Sequence, residues 1–263
     1  MIDSHAHLTD GRFDDDRDAV LRRAAEAGVE LVVCPGTDLA DSERALDLAG
    51  EDASVLAAVG MDRDAAADVD DAALDRLRAL AADERCVAIG EIGLDYHYEN
   101  VPHGVQRAAF EAQLALATEL DLPVIVHCRE AFDDCLPMLG AAGARGVLHC
   151  FSGDADTALR CCDLGLMVSF AGPVTYKRSD TLRDAARAVP TQHLMIETDS
   201  PYLAPQAVRG RRNEPAFVAH TARFLADLLG LAPEDVDRIT STNARLLFGP
   251  ADESCRGPGR HLG

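Results

Sequence analysis

The chain has 263 residues, 48% of them hydrophobic, with no Trp and few aromatics, so a large core of Val, Leu, Ile and Ala can be buried within one domain. No apolar run approaches the ~20 residues of a membrane span, and the opening Met1-Ile2-Asp3-Ser4-His5 lacks a basic-then-apolar leader, so no membrane partner is expected and the chain reads as cytoplasmic. A formal net charge of -20, with Lys177 the single lysine, excludes a broad basic face for a polyanion, and any nucleic-acid contact has to be local.

Apolar runs of strand length alternate with segments of helical period. In chain order, a strand at 2–5 precedes a helix at 16–27, a strand at 31–35 a helix at 42–49, a strand at 55–60 a helix at 70–82, and a strand at 87–92 a helix at 105–120. The pattern continues with a strand at 124–127, a helix at 131–139, a strand at 146–151, a helix at 154–162, a strand at 166–170, a helix at 179–188, a strand at 194–197 and a helix at 215–229. Strands alternating with helices imply an α/β fold with a parallel sheet, and near-continuous Val/Ile/Leu runs suit a sheet covered on both faces. Closure into a single-domain (β/α)8 TIM-type barrel over 1–253 is the simplest arrangement, since such barrels run to ~250 residues. A doubly wound open sheet is the alternative, but no Gly-x-Gly-x-x-Gly phosphate loop supports it. Residues 254–263 are rich in Gly, Pro and Arg and read as a flexible tail. The eight cysteines contain no Cys-x-x-Cys pair and read as reduced, buried thiols.

Polar residues collect at the C-terminal ends of these strands, where barrel enzymes place their active sites. The first strand ends in His5-Ala6-His7, whose imidazoles share one face of an extended chain. The fourth ends in Glu91-Ile92-Gly93-Leu94-Asp95, the fifth in His127-Cys128-Arg129, the sixth in His149, and the eighth in Glu197-Thr198-Asp199. One such histidine alone is more simply a hydrogen-bonded core residue. Several strand ends with the same chemistry point instead to metal ligation, because buried carboxylates without a cation are costly. His5, His7, Glu91, His127, His149 and Asp199 are more donors than one tetrahedral ion needs, and they suit two divalent ions (Zn, Mg or Mn) ~3.5–4 Å apart. Glu91, near mid-barrel between the two histidine groups, is the natural bridge. Glu197 shares the inward face with Asp199 and is placed to orient a ligand histidine.

Taken in order, His5-Ala6-His7-Leu8, Gly90-Glu91-Ile92-Gly93-Leu94-Asp95-Tyr96, Val126-His127-Cys128-Arg129, His149-Cys150-Phe151-Ser152-Gly153 and Glu197-Thr198-Asp199-Ser200-Pro201-Tyr202-Leu203 resemble the signatures of the TatD family of metal-dependent deoxyribonucleases, within the amidohydrolase superfamily. Arg212-Asn213-Glu214-Pro215 and the later Thr242-Asn243 are similar to that family's usual ending. The resemblance implies hydrolysis of phosphodiester bonds in DNA, from the 3′ end, with the same six residues as ligands and Glu91 and Asp199 as the catalytic carboxylates. Asp199 would orient or deprotonate the attacking water. Arg129, Arg212 and Asn213 are expected to contact substrate; for Arg129 an ion pair with Glu197 is the competing role. One segment departs from the pattern. Where the family usually reads Gly-x-His-Pro-His, this chain has Gly60-Met61-Asp62-Arg63-Asp64. Asp62 at a substrate position would repel phosphate unless Arg63 turns inward or Asp62 contacts a metal; the competing reading makes Asp62 a rim residue in a variable loop. The alternatives are an amidohydrolase cutting a C–N or C–O bond of a small molecule, whose binuclear members commonly bridge with a modified lysine, and a non-catalytic binding protein. Lys177 is poorly placed for a bridge, and loss of ligands would mark the binding protein. Nothing in the chain demands more than a monomer.

Overall fold

The computed structural model describes residues 1–249. The strands are β1 (Ile2–Asp3), β2 (Leu31–Pro35), β3 (Val55–Val59), β4 (Cys86–Asp95), β5 (Val124–Arg129), β6 (Gly146–Leu148), β7 (Met167–Phe170) and β8 (Leu194–Ile196). They pair in parallel, in sequence order, as one eight-stranded sheet. The β8 end returns to the β1 end: the amides of Ser4 and His7 donate to the carbonyls of Ile196 (3.2 Å) and Ser200 (2.7 Å), and that of Asp199 donates to His5 (2.9 Å). The expected barrel therefore forms. Around it run α1 (Arg17–Glu26), α2 (Leu39–Glu51), α3 (Asp71–Leu80), α4 (His103–Leu120), α5 (Phe132–Ala142), α6 (Ala155–Asp163), α7 (Asp180–Ala188) and α8 (Val218–Leu229). The acidic composition serves some helix starts directly. Asp38, Asp70 and Asp154 accept from the amides of Asp41, Ala73 and Thr157, satisfying donors that an uncapped first turn would leave open. Among the described residues no helix is long and apolar enough to cross a membrane. The tail expected at 254–263 lies outside the described residues.

Period-2 alternation sorts the strand residues into two cores. Val32, Cys34, Ile89, Val124, Val126, Leu148, Val168 and Ile196 face outward and pack with the helices. Ile2, Val33, Ala58, Ala88, Ile125, Val147 and Met195 face inward and form the barrel's own core. One element was not anticipated from the sequence: α9 (Pro233–Phe248), whose Ala244, Leu247 and Phe248 join the inward cluster. It plugs the end at which the strands begin. Asn243 fastens it there, donating to the carbonyls of Thr191 (2.7 Å) and Leu194 (2.8 Å) at the start of β8. With that end closed, the opposite mouth is where a site can open. Truncating the plug, Phe248→Ala, should cost about 3–5 kcal/mol, read as a lowered urea midpoint.

Candidate active site

The inward face continues up each strand to the mouth. Two residues above Ile125 and Val147 stand His127 and His149, and above Met195 stands Glu197, so the alternation that fills the core also delivers the polar groups. β4 is different. Ala88 faces inward, and a regular strand would then turn Glu91 outward; a register shift between Ile89 and Ile92 changes the phase and brings Glu91, Gly93 and Asp95 to the inside. Gly93 is required in this stretch. Its φ is +142°, and a Cβ there would lie 2.0 Å from the His127 carbonyl oxygen.

Glu91 lies at the centre of the mouth, buried. Its Oε2 is 3.3 Å from His5 Nε2 and 3.5 Å from His7 Nε2, while its Oε1 is 3.3 Å from His127 Nδ1 and 3.1 Å from His149 Nε2. Asp199 Oδ1 faces the first pair, 3.5 Å from His7 Nε2 and 3.8 Å from His5 Nε2. The structure thus brings together the six residues expected to ligate. Burial alone would raise the Glu91 carboxyl, but the facing imidazoles of His149, His127 and His5 outweigh it and hold the group well below the usual carboxylate range. His5 is displaced downward by burial and by its neighbour His149. The two rings stack at 3.9 Å, 7° from parallel, a contact that disfavours charge on both.

Two further carboxylates hold the rings. Asp95 Oδ2 accepts from His127 Nε2 at 3.0 Å, which fixes the proton there and leaves Nδ1 aimed at Glu91. Glu197 Oε1 plays the same part at His149 Nδ1 (3.4 Å) and also accepts from the Cys150 amide (2.7 Å). Asp95 was not among the residues expected in the site, although its spacing from Glu91 was the available signal. Burial would raise its carboxyl, but the His127 hydrogen bond and the nearby Arg63 charge hold it at about 2. Arg63 does turn inward, donating to Asp95. Asp62 lines the same cleft, of about 760 Å³. Burial and the charge of Glu91 push its carboxyl up to about 6, against the amides of Ala65 and Asp64 that donate to it.

The remaining predicted contacts separate. Arg129 lines the cleft, and its Nη1 lies 3.5 Å from the Tyr98 hydroxyl; Glu197, its expected alternative partner, is engaged by His149 and Cys150 instead. Arg212 does not line the cleft: it makes a two-pronged ion pair with Asp16, at 2.8 Å on each side, and covers the Phe13 ring. Asn213 is fully buried, donating to the carbonyls of Thr198 (2.8 Å) and Tyr202 (2.6 Å). Both brace the segment after β8. Their sequence motif could not separate bracing from contact.

The description "TatD related DNase" matches residues 2–249 of this chain. The chain belongs to the TatD family. An uncharacterized metal-dependent hydrolase of Bacillus subtilis, YabD, is 38% identical over 251 residues, spanning 94% of this chain and 98% of its own. The Klebsiella pneumoniae protein named 3′-5′ ssDNA/RNA exonuclease TatD is 37% identical, over 95% of this chain and 98% of its own. The crystal structure of the TatD homologue YjjV from Escherichia coli K12 superposes with a TM-score of 0.90 at 30% identity, covering 95% of this chain and 98% of that one. This TatD-family chain is accordingly a metal-dependent hydrolase, acting on ester bonds.

The donor set fits a divalent cation. Nε2 of His5 and Nε2 of His7 lie 3.1 Å apart, both aimed at carboxylate oxygens, and His5, His7 and Asp199 converge as one group while His5, Glu91 and His149 converge as another. Asp95→Asn should weaken metal binding about 10–100-fold in chelator competition, because the amide no longer fixes the His127 proton.

Proposed function

We propose that this protein is a nuclease that removes nucleotides from the 3′ end of DNA, with two divalent ions held by the mouth cluster. The observation that carries this reading is the division of Glu91. One of its oxygens faces His5 and His7 and the other faces His127 and His149, which suits a carboxylate shared between two ions. Imidazole-rich donors suit Zn2+ better than Mg2+, while the carboxylates also admit Mn2+. When bound, such ions supply Lewis acidity toward phosphoryl oxygens and a water acidic enough to ionise near neutral pH.

The chain's own residues do the rest. Asp199, kept ionised by His7 and His5 despite its burial, accepts the proton of the attacking water at a carboxylate oxygen. Arg129 presents a cation to the phosphate from the cleft wall. Arg63 neutralises Asp95 on the wall of the cleft that Asp62 also lines. His127 and His149 keep their orientation through Asp95 and Glu197. Arg212 and Asn213 contribute by holding the segment that carries Asp199.

The test is release of nucleotide from a 3′-labelled single-stranded DNA oligonucleotide with Mg2+, Mn2+ or Zn2+. Asp199→Asn should keep the fold and some metal but lose turnover by about 10²–10⁴-fold; near-normal turnover removes Asp199 from the chemistry. Glu91→Ala, with folding checked by circular dichroism, should lower the metal content per chain; an unchanged content by elemental analysis removes the bridge. No release from protein shown to hold its ions would transfer the reading to small-molecule esters or amides.

A further inference from the structure

Tyr98 and Tyr202 are two of the few large apolar side chains left exposed, at 48% and 46%, and both line the cleft that holds the metal ligands. Tyr98 lies in the segment after β4 and Tyr202 in the segment after β8. In a closed barrel of eight strands in sequence order, those two positions are across the mouth from each other, with Glu91 and its histidines between them. Each ring has arginine against it. The Arg12 guanidinium carbon is 4.1 Å from the Tyr202 ring centroid, and those of Arg63 and Arg129 are 5.0 Å and 5.3 Å from that of Tyr98. The Tyr202 hydroxyl is held by Asp10 at 3.2 Å, and its ring meets His7 edge to face at 6.0 Å. Among the described residues Arg129 has no carboxylate partner, and of the three arginines on these two rings it is the one not engaged by a carboxylate, Arg12 being paired with Asp10 and Arg63 with Asp95.

Exposed aromatic faces joined to cations, on both sides of a hydrolytic centre, match what holds unpaired bases by stacking and their backbone by charge. Bases in an intact duplex already stack on one another and offer no free face. We propose that Tyr98 and Tyr202 are two stacking walls of the substrate cleft, taking the bases on either side of the scissile phosphodiester, with Arg129 against the phosphate. The inference rests on the nuclease reading above.

The test compares a single-stranded DNA oligonucleotide with the same oligonucleotide made abasic at its last two 3′ positions. Turnover is measured with the wild-type protein and Mn2+, and binding is measured by fluorescence anisotropy with the Asp199→Asn protein. The intact strand should have a Kd and KM lower by about tenfold or more, with a smaller change in kcat. Tyr98→Ala and Tyr202→Ala should raise KM for the intact strand and narrow its advantage over the abasic one. Tyr98→Phe and Tyr202→Phe, which keep the ring, should recover most of the wild-type KM. Equal KM and Kd for the two strands in the wild-type background, or Ala variants that still discriminate fully, overturn the stacking walls while leaving a nuclease. A protein that neither binds nor cuts either strand overturns both readings together.

Discussion

A single buried carboxylate, Glu91, faces four imidazoles at 3.1–3.5 Å, and the rest of the mouth is arranged to make that contact possible. An ionised carboxylate removed from water needs compensating charge or donors around all its lone pairs. Here the compensation comes from three separate strand ends, those of β1, β5 and β6, so the site exists only when the barrel is closed and in register. The histidines cannot all be charged, since His5 and His149 stack face to face. A cation lying among neutral rings and carboxylates resolves both problems, and binding it becomes part of what stabilises the folded mouth.

The same constraint explains the irregularity of β4. A strand in strict alternation could either pack Ala88 into the barrel or present Glu91 to the mouth, and the register shift before Ile92 lets it do both. The shift in turn draws β4 close to its neighbours. Gly60 approaches the Gly90 backbone so closely that a Cβ would sit 2.8 Å from a carbonyl carbon, and Gly93 meets the His127 carbonyl. Beyond Glu91, the outer carboxylates form a graded set. Asp95 is matched by Arg63, Glu197 by His149 and a backbone amide, and Asp3 by the hydroxyl (2.6 Å) and amide (2.8 Å) of Thr198, which ties β1 to the segment carrying Asp199.

Much of this was legible in the sequence, for identifiable reasons. Periods of two and of 3.6 residues report burial directly, and the barrel's alternation of strands and helices follows from them. The six converging residues were legible because each ends an apolar strand, and strand ends of a barrel share one mouth. Asp95 was named beyond the fourth strand but given no role, since the strand was expected to end at Ile92 and instead runs on to Asp95, which carries that side chain to the face of Glu91. The helix α9 was passed over because its buried positions face a barrel floor assembled from strands distant in sequence. Arg212 and Asn213 were given a substrate role from proximity to a motif. Their side chains are instead occupied by Asp16 and by two carbonyls, and which way a side chain points in an irregular segment is a tertiary outcome.

The acidity of the chain then becomes a statement about how a polyanion could approach it. On most of the surface arginine is already matched: Arg76 with Glu43, Arg78 with Glu119, Arg107 with Asp134, Arg145 with Asp121 and Arg245 with Glu30. Such pairs leave little net positive field, and a formal charge of -20 repels a phosphate backbone at long range. At the mouth the guanidiniums on Tyr202 and Tyr98 include Arg12 and Arg63, which are matched by Asp10 and Asp95, so the local attraction would come from the cations that the cluster would hold and from Arg129. On the nuclease reading, attraction confined to so small an area holds a few nucleotides and not a long track. A strand whose remainder is repelled by the surrounding surface enters by its end. The net charge that argued against nucleic acid in the composition would thus favour, in three dimensions, removal of terminal nucleotides over cleavage within a bound strand.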